Sequence, residues 1–286
     1  MPGEVQRRII SNVRTPRDVL NLALTSKQVH LVASPRLIEE KVGWKIRQGV
    51  ASPEAVTELL GEIARTEASA RGVLLGRLIQ EIPRMRYRLA AQKIQQLGIR
   101  QLGSMATMGP LLRHAEQSAV EQSLEAIHQL PAKHRASPLY CLADVFKNRE
   151  ARSVSLSDPT TVFNRLLDEV MRLPELGDQK ELLRSDLAPS LSKLPANARA
   201  QAYYRLLDAA SEIFHSDENR YQSSDDAIAA GVPPDDWLSG SLVSAISSLP
   251  ESARAEAATR TLDAITKPGA LSDDQRTKLA ELGDGR

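Results

Sequence analysis

The residues best able to do chemistry are a single thiol and two nearby imidazoles. Cys141 follows His128 and His134 in the chain, and a cysteine activated by a histidine base is the arrangement of a thiol nucleophile. The surroundings argue otherwise. Cys141 lies in SPLYCLADVF, where Leu139, Leu142, Val145 and Phe146 recur at helical spacing, so a packed structural thiol is the favoured reading and a Cys141-dependent enzyme the minor one. The five histidines show neither HExxH nor zinc-knuckle spacing with cysteine, so no metal is expected. Asp225-Asp226 and Asp235-Asp236 lack the alternating acids and glycine of a calcium loop. Neither GxxxxGK[ST] nor GxGxxG occurs, which leaves nucleotide phosphates without a cradle. No cofactor is expected, and the chain reads as non-catalytic.

One pattern does recur. An apolar residue followed by proline returns at Pro83, Pro131, Pro174, Pro195 and Pro250. Upstream of these lie Leu75, Ile79 and Ile82; Leu166, Val170 and Leu173; Leu187, Leu191 and Leu194; and Leu242, Ile246 and Leu249. Steps of four and three place each set on one helical face, and a proline biases the residue before it away from helical torsions. Each helix is therefore predicted to stop just before its proline. A short polar turn follows, with Arg86, Arg135, Arg199 or Arg254, and then a second apolar helix, as in Tyr203, Leu206, Leu207 and Ile213 or Thr259, Leu262 and Ile265. The repeated arginines are expected to be solvated or paired with acids of a neighbouring repeat. Helical hairpins recurring at such intervals predict an α-solenoid of the HEAT or armadillo type over residues 43–286. Residues 148–160 and 215–236 break the periodicity with Ser, Asp and Pro clusters and read as loops. In the tail, Ser272 is placed to cap a short final helix.

Composition agrees with an all-α chain: of 286 residues, 42% are apolar and only 3% aromatic, so the core must be built from aliphatic side chains. A lone cysteine excludes an internal disulfide and suits a reducing compartment. No run approaches the ~20 apolar residues that cross a bilayer, and the start has no apolar signal-peptide region; no membrane association is expected. Charge is polarised, with nine Lys/Arg against four Asp/Glu over residues 1–50 and eight against fifteen over 200–286. The basic residues alternate with apolar ones and form no Lys/Arg run, so nucleic acid is not an expected partner.

The first 42 residues differ from the rest. Pro2 and Glu4 suit the opening turn of a helix whose apolar face is Val5, Ile9, Ile10 and Val13. Thr15-Pro16 starts a second helix with Asp18, Val19, Leu20, Leu22, Ala23 and Leu24. A third short helix over Gln28 to Ala33 is predicted to end at Ser34-Pro35. Three short helices bury too little to stand alone, and the second carries more aliphatic surface than one neighbour covers. In order and type these positions resemble an F-box, with Val29 and Ile38 standing where members often have Trp; Trp44 is expected to pack at the junction with the next domain. Met1 stands where the motif usually has Leu, so a natural segment is expected to precede it. The resemblance implies a three-helix F-box over 1–42 that binds SKP1, and through it cullin, in an SCF ubiquitin ligase. It further implies SKP1 contacts at Pro2, Glu4, Val5, Ile9, Ile10, Val13, Leu20, Leu22 and Leu24, with the repeats holding an unknown target protein for ubiquitination. Joined to degenerate LP-containing repeats in an Ala/Arg/Leu-rich chain, the module resembles the F-box type III effectors of plant-pathogenic Xanthomonas and Ralstonia. That likeness implies virulence, secretion into the host cell, and action with a plant SKP1 in its cytoplasm or nucleus. The alternative is a helical-repeat scaffold that does not bind SKP1.

Overall fold

The computed structural model describes residues 27–50, 52–97, 105–149, 156–220, 235–265 and 271–283, and among them every regular element is helical. The fold is all-α. Contacts divide the chain into two compact units, residues 1–138 and 139–286.

In the first unit, α1 (Lys27–Gln48) and α2 (Pro53–Ile63) pack against α3 (Ala68–Leu97) and α4 (Met105–His128), and a 3-10 turn, Ala132–His134, lies on α3. Helix α1 differs from expectation. Instead of a short helix ending at Ser34-Pro35, one helix continues through both residues to Gln48 and spans the 42/43 boundary. Its far end buries Val42 and Ile46, and Val50 just beyond it is buried too, so helix extension is repaid by core contacts. It stops at Gly49, whose φ of +94° a side chain would strain, and where a Cβ would collide with the Arg88 guanidinium 1.9 Å away. Ser52 caps α2, accepting from the Ala55 amide at 3.3 Å with Pro53 in the first turn.

Pro83 is a second correction. It does not end a helix but lies inside α3. Leu75, Leu78, Ile79, Ile82 and Met85 are at most 1% exposed along that helix. Burying them at about 1.5–3 kcal/mol each outweighs the ~3 kcal/mol that an interior proline costs.

In the second unit, α5 (Ala136–Lys147), which begins in the last residues of the first, is followed by α6 (Pro159–Met171) and α7 (Leu176–Leu182). The latter continues as a π-helical turn, Leu183–Leu187, and short helical turns to Lys193. Helix α8 (Ala196–Arg220) is central and contacts α6, α7, α9 (Asp235–Ile246) and α10 (Glu251–Ala264). Helix α11 (Asp273–Gly283) lies on α10. Residues 215–220, read as loop, continue α8. The predicted stripes before Pro174, Pro195 and Pro250 are all buried. After Pro250, Ile265 of the predicted set is buried and Leu262 half-buried, but Thr259 faces solvent and Ala257, Ala258 and Thr261 face the core. Ser272 caps α11 reciprocally, accepting from the Gln275 amide at 3.3 Å while its own amide donates to Gln275 Oε1 at 3.0 Å.

Candidate functional site

The repeated turns are built alike from the backbone outward. At Leu130, Leu194 and Leu249 the leucine amide closes the preceding helix on the carbonyl three residues back, at 3.0–3.1 Å. The proline carbonyl then accepts from the amide three residues on, at 2.8–2.9 Å. Pro131 and Pro250 share nearly the same torsions, φ −54° with ψ 138° and 142°. Into each turn the arginine folds back: Arg135, Arg199 and Arg254 donate from Nε to the carbonyls of Leu130, Leu194 and Leu249 at 2.8, 2.8 and 3.1 Å. Through Nε these half-buried arginines satisfy carbonyls that a helix end leaves open, a role the sequence reading did not assign them.

A further copy of the turn lacks the proline. Thr66 closes on Ile63 at 3.0 Å, Ala70 donates to the Glu67 carbonyl at 2.9 Å, and Arg71 Nε donates to the Thr66 carbonyl at 2.9 Å. Thr66, Leu130 and Leu194 stand 64 residues apart. The signal was ASAR at 68–71 beside ANAR at 196–199 and ESAR at 251–254, masked because Glu67 replaces the proline. Pro174 starts a variant, in which Gln179 Nε2 donates to the Leu173 carbonyl at 2.7 Å.

Each unit carries an open groove of about 410 Å³. That of the first unit lies between α2 and α4 beside the Thr66 turn, with Leu60, Ala64, Arg71, Gln122 and Glu125 among its lining. In the second unit Trp237, Gly240, Ser241 and Ser244 of α9 face Pro189 and Ser192. Trp237 is 51% exposed, with the Arg184 guanidinium 5.2 Å from its ring centre. Ser241 and Ser244 donate to their own helix, to the Trp237 and Gly240 carbonyls at 3.2 and 2.8 Å. Both grooves offer shape and apolar surface.

A polar cluster lies where α5 meets the π-helical turn. Lys147 Nζ donates to Asp186 Oδ1 at 2.7 Å and to the Ser185 carbonyl at 2.9 Å. Arg184 and Ser185 both donate to Glu181, and Tyr140 donates to Asp178 at 3.2 Å. Burial pushes the Glu181 carboxyl up, but the Ser185 and Arg184 bonds outweigh it and hold the group below the usual range. Burial, with Asp178 beside it, raises the Tyr140 phenol far above its ordinary value. Both shifts keep Glu181 ionised and Tyr140 protonated at neutral pH, which suits structure better than proton transfer.

No family model and no curated protein matches this chain. A solved structure titled "Computational Design of Self-Assembling Cyclic Protein Homooligomers" matches 99% of this chain and 87% of its own at 13% identity, with a TM-score of 0.17; so low a score carries no argument about fold or function.

The predicted SKP1 contacts, Pro2, Glu4, Val5, Ile9, Ile10, Val13, Leu20, Leu22 and Leu24, lie outside the described residues. Trp44, expected at the junction with the first module, is 56% exposed; most of that module lies outside the described residues. Leu139, Leu142, Val145 and Phe146 are buried and Cys141 between them is half-buried. His128 ends α4 on an exposed face, and His134 belongs to the 3-10 turn. Among the described residues no group of three His, Cys, Asp or Glu could hold a metal ion, and no helix is long and apolar enough to cross a membrane.

Proposed function

We propose that this chain is an adaptor: residues 1–42 dock on SKP1, and the helical hairpins hold a target protein for ubiquitin transfer by an SCF complex. The observation that carries the reading is the hairpin staple repeated at Arg71, Arg135, Arg199 and Arg254. Within each unit it fastens the turns between helices through backbone carbonyls, and each unit leaves a groove open at its surface, in keeping with recognition by shape. The SKP1 half rests on the ordered F-box-like positions from Pro2 to Leu24. In keeping with the likeness to injected effectors, the partner is a plant SKP1 and the site of action a host cell.

Gel filtration of the full chain mixed with plant SKP1 tests the reading. A co-eluting complex is expected, and the Pro2→Ala/Ile9→Ala variant should lose it while its circular dichroism stays helical. Absence of a complex, or unchanged binding by the double variant, overturns the adaptor. A Cys141→Ser variant should bind as the native chain does.

A further inference from the structure

The outer face of the α1–α3 crossing holds cations without counter-charges. Gly43 of α1 is buried against α3, and the point where its Cβ would stand lies 3.6 Å from Arg77 Nη1 and 3.8 Å from Arg47 Nη1. Two guanidinium groups from two helices thus converge over one glycine, near enough for the two oxygens of one carboxylate to bridge them. Both arginines are exposed, and among the described residues neither side chain has a hydrogen bond or ion pair. Glu39 and Glu40, nearby on α1, do not pair with them. By contrast Lys45, on another face of α1, is bound to Glu58 and Glu62, and Arg84 to Glu81.

Apolar surface accompanies the charge. Trp44 is 56% exposed, with Lys41 three residues before and Arg47 three residues after it on the same side of α1. Val73, one turn before Arg77 on α3, is 49% exposed. Like charges held together without partners cost stability, and a half-exposed tryptophan among them is the composition of an interface centre.

We infer that this face binds an acidic protein segment, a carboxylate accepting from Arg47 and Arg77 while a neighbouring apolar side chain lies on Trp44 and Val73. The inference rests on the adaptor reading only for the partner's being a protein. A peptide is favoured over nucleic acid because the unpaired cations form one compact cluster; a strand would need a groove that tracks successive phosphates.

The test uses the full chain with Trp237→Phe, which leaves Trp44 as the sole tryptophan, and the peptide acetyl-EELEELEE-amide as probe. Trp44 should be open to acrylamide quenching in the free protein and protected as peptide is added, and binding should weaken with salt. Arg47→Gln/Arg77→Gln, exposed substitutions that remove both charges and keep polar side chains, should weaken it about tenfold or more, whereas Arg65→Gln, exposed elsewhere, should not. Four outcomes overturn the inference: no protection by the peptide, equal binding by the double variant, a tryptophan already shielded by residues 1–26 or a second copy, or displacement of the peptide by a thymidine oligonucleotide at equal concentration. SKP1 co-elution of the same proteins separates the two readings. Peptide binding lost with SKP1 binding kept removes this face alone, and the reverse removes the adaptor alone.

Discussion

Arg199 ties its own turn to the next one: its Nε donates to the Leu194 carbonyl at 2.8 Å and its Nη1 to the carbonyl of Ser248, 49 residues on, at 2.9 Å. Arg254 makes only local bonds, to Leu249 at 3.1 Å and Ser247 at 3.2 Å. The same side chain at equivalent turns therefore serves one turn at Arg254 and joins two turns at Arg199.

This difference sets the first prediction. Replacing Arg199 by alanine strips a cation from two carbonyls and should cost about 2–3 kcal/mol in urea unfolding. Arg254→Ala, with longer bonds confined to one turn, should cost about 1 kcal/mol, and Arg65→Ala at an exposed site should stay within about 0.5 kcal/mol of the native chain. Equal losses at Arg199 and Arg254 would show that the bond to Ser248 contributes nothing.

Gly72 and Gly61 should respond oppositely to alanine. A Cβ on Gly72 would stand 2.8 Å from the His134 carbonyl oxygen, a backbone atom that cannot swing aside, whereas on Gly61 it would meet nothing within 4 Å. Gly72→Ala should destabilise by about 1–3 kcal/mol through overpacking, and Gly61→Ala in α2 should stabilise by about 0.5–1 kcal/mol. Thermal melts of both variants check the signs.

Inside the second unit Tyr203 and Thr261 are fully buried and their hydroxyls lie 2.6 Å apart. Tyr203→Phe and Thr261→Val should each cost about 1 kcal/mol. Because they remove one shared bond, the double variant should cost less than the sum; full additivity in a double-mutant cycle would rule out the coupling.

Asp158 makes stability depend on acid. Bonds from the Thr161 hydroxyl and amide, at 2.6 and 3.0 Å, hold its carboxyl below the ordinary value of 3.8. A group whose folded pKa is depressed stabilises above its unfolded pKa and loses that contribution as pH falls through the folded one. The cap on α6 should thus be intact at neutral pH and weaken below about pH 4. Asp158→Ala should lower the melting temperature at pH 7 by an amount worth about 1 kcal/mol, with the gap to the native chain narrowing as pH approaches 3. A gap that widened on acidification would contradict the assignment.

Local chemistry made much of this legible in the chain. Leu-Pro at 130, 173, 194 and 249 announced helix ends because a proline restricts its predecessor whatever lies around it, and the leucine stripes at steps of three and four announced buried faces. Ser272 with Gln275 announced a cap on the same ground. Where packing competes with local preference, the tertiary structure decided. Pro83 sits within α3 because five buried neighbours outweigh its cost, and Ser34-Pro35 does not end α1 because Val42 and Ile46 hold the helix to the core. Thr66 makes the leucine's turn without a proline, its amide and hydroxyl both donating to the Ile63 carbonyl while Arg71 takes up the Thr66 carbonyl. The convergence of Arg47 and Arg77 over Gly43 belongs to the same class. Thirty residues separate them in the chain, and only the crossing of α1 with α3 brings their charges together.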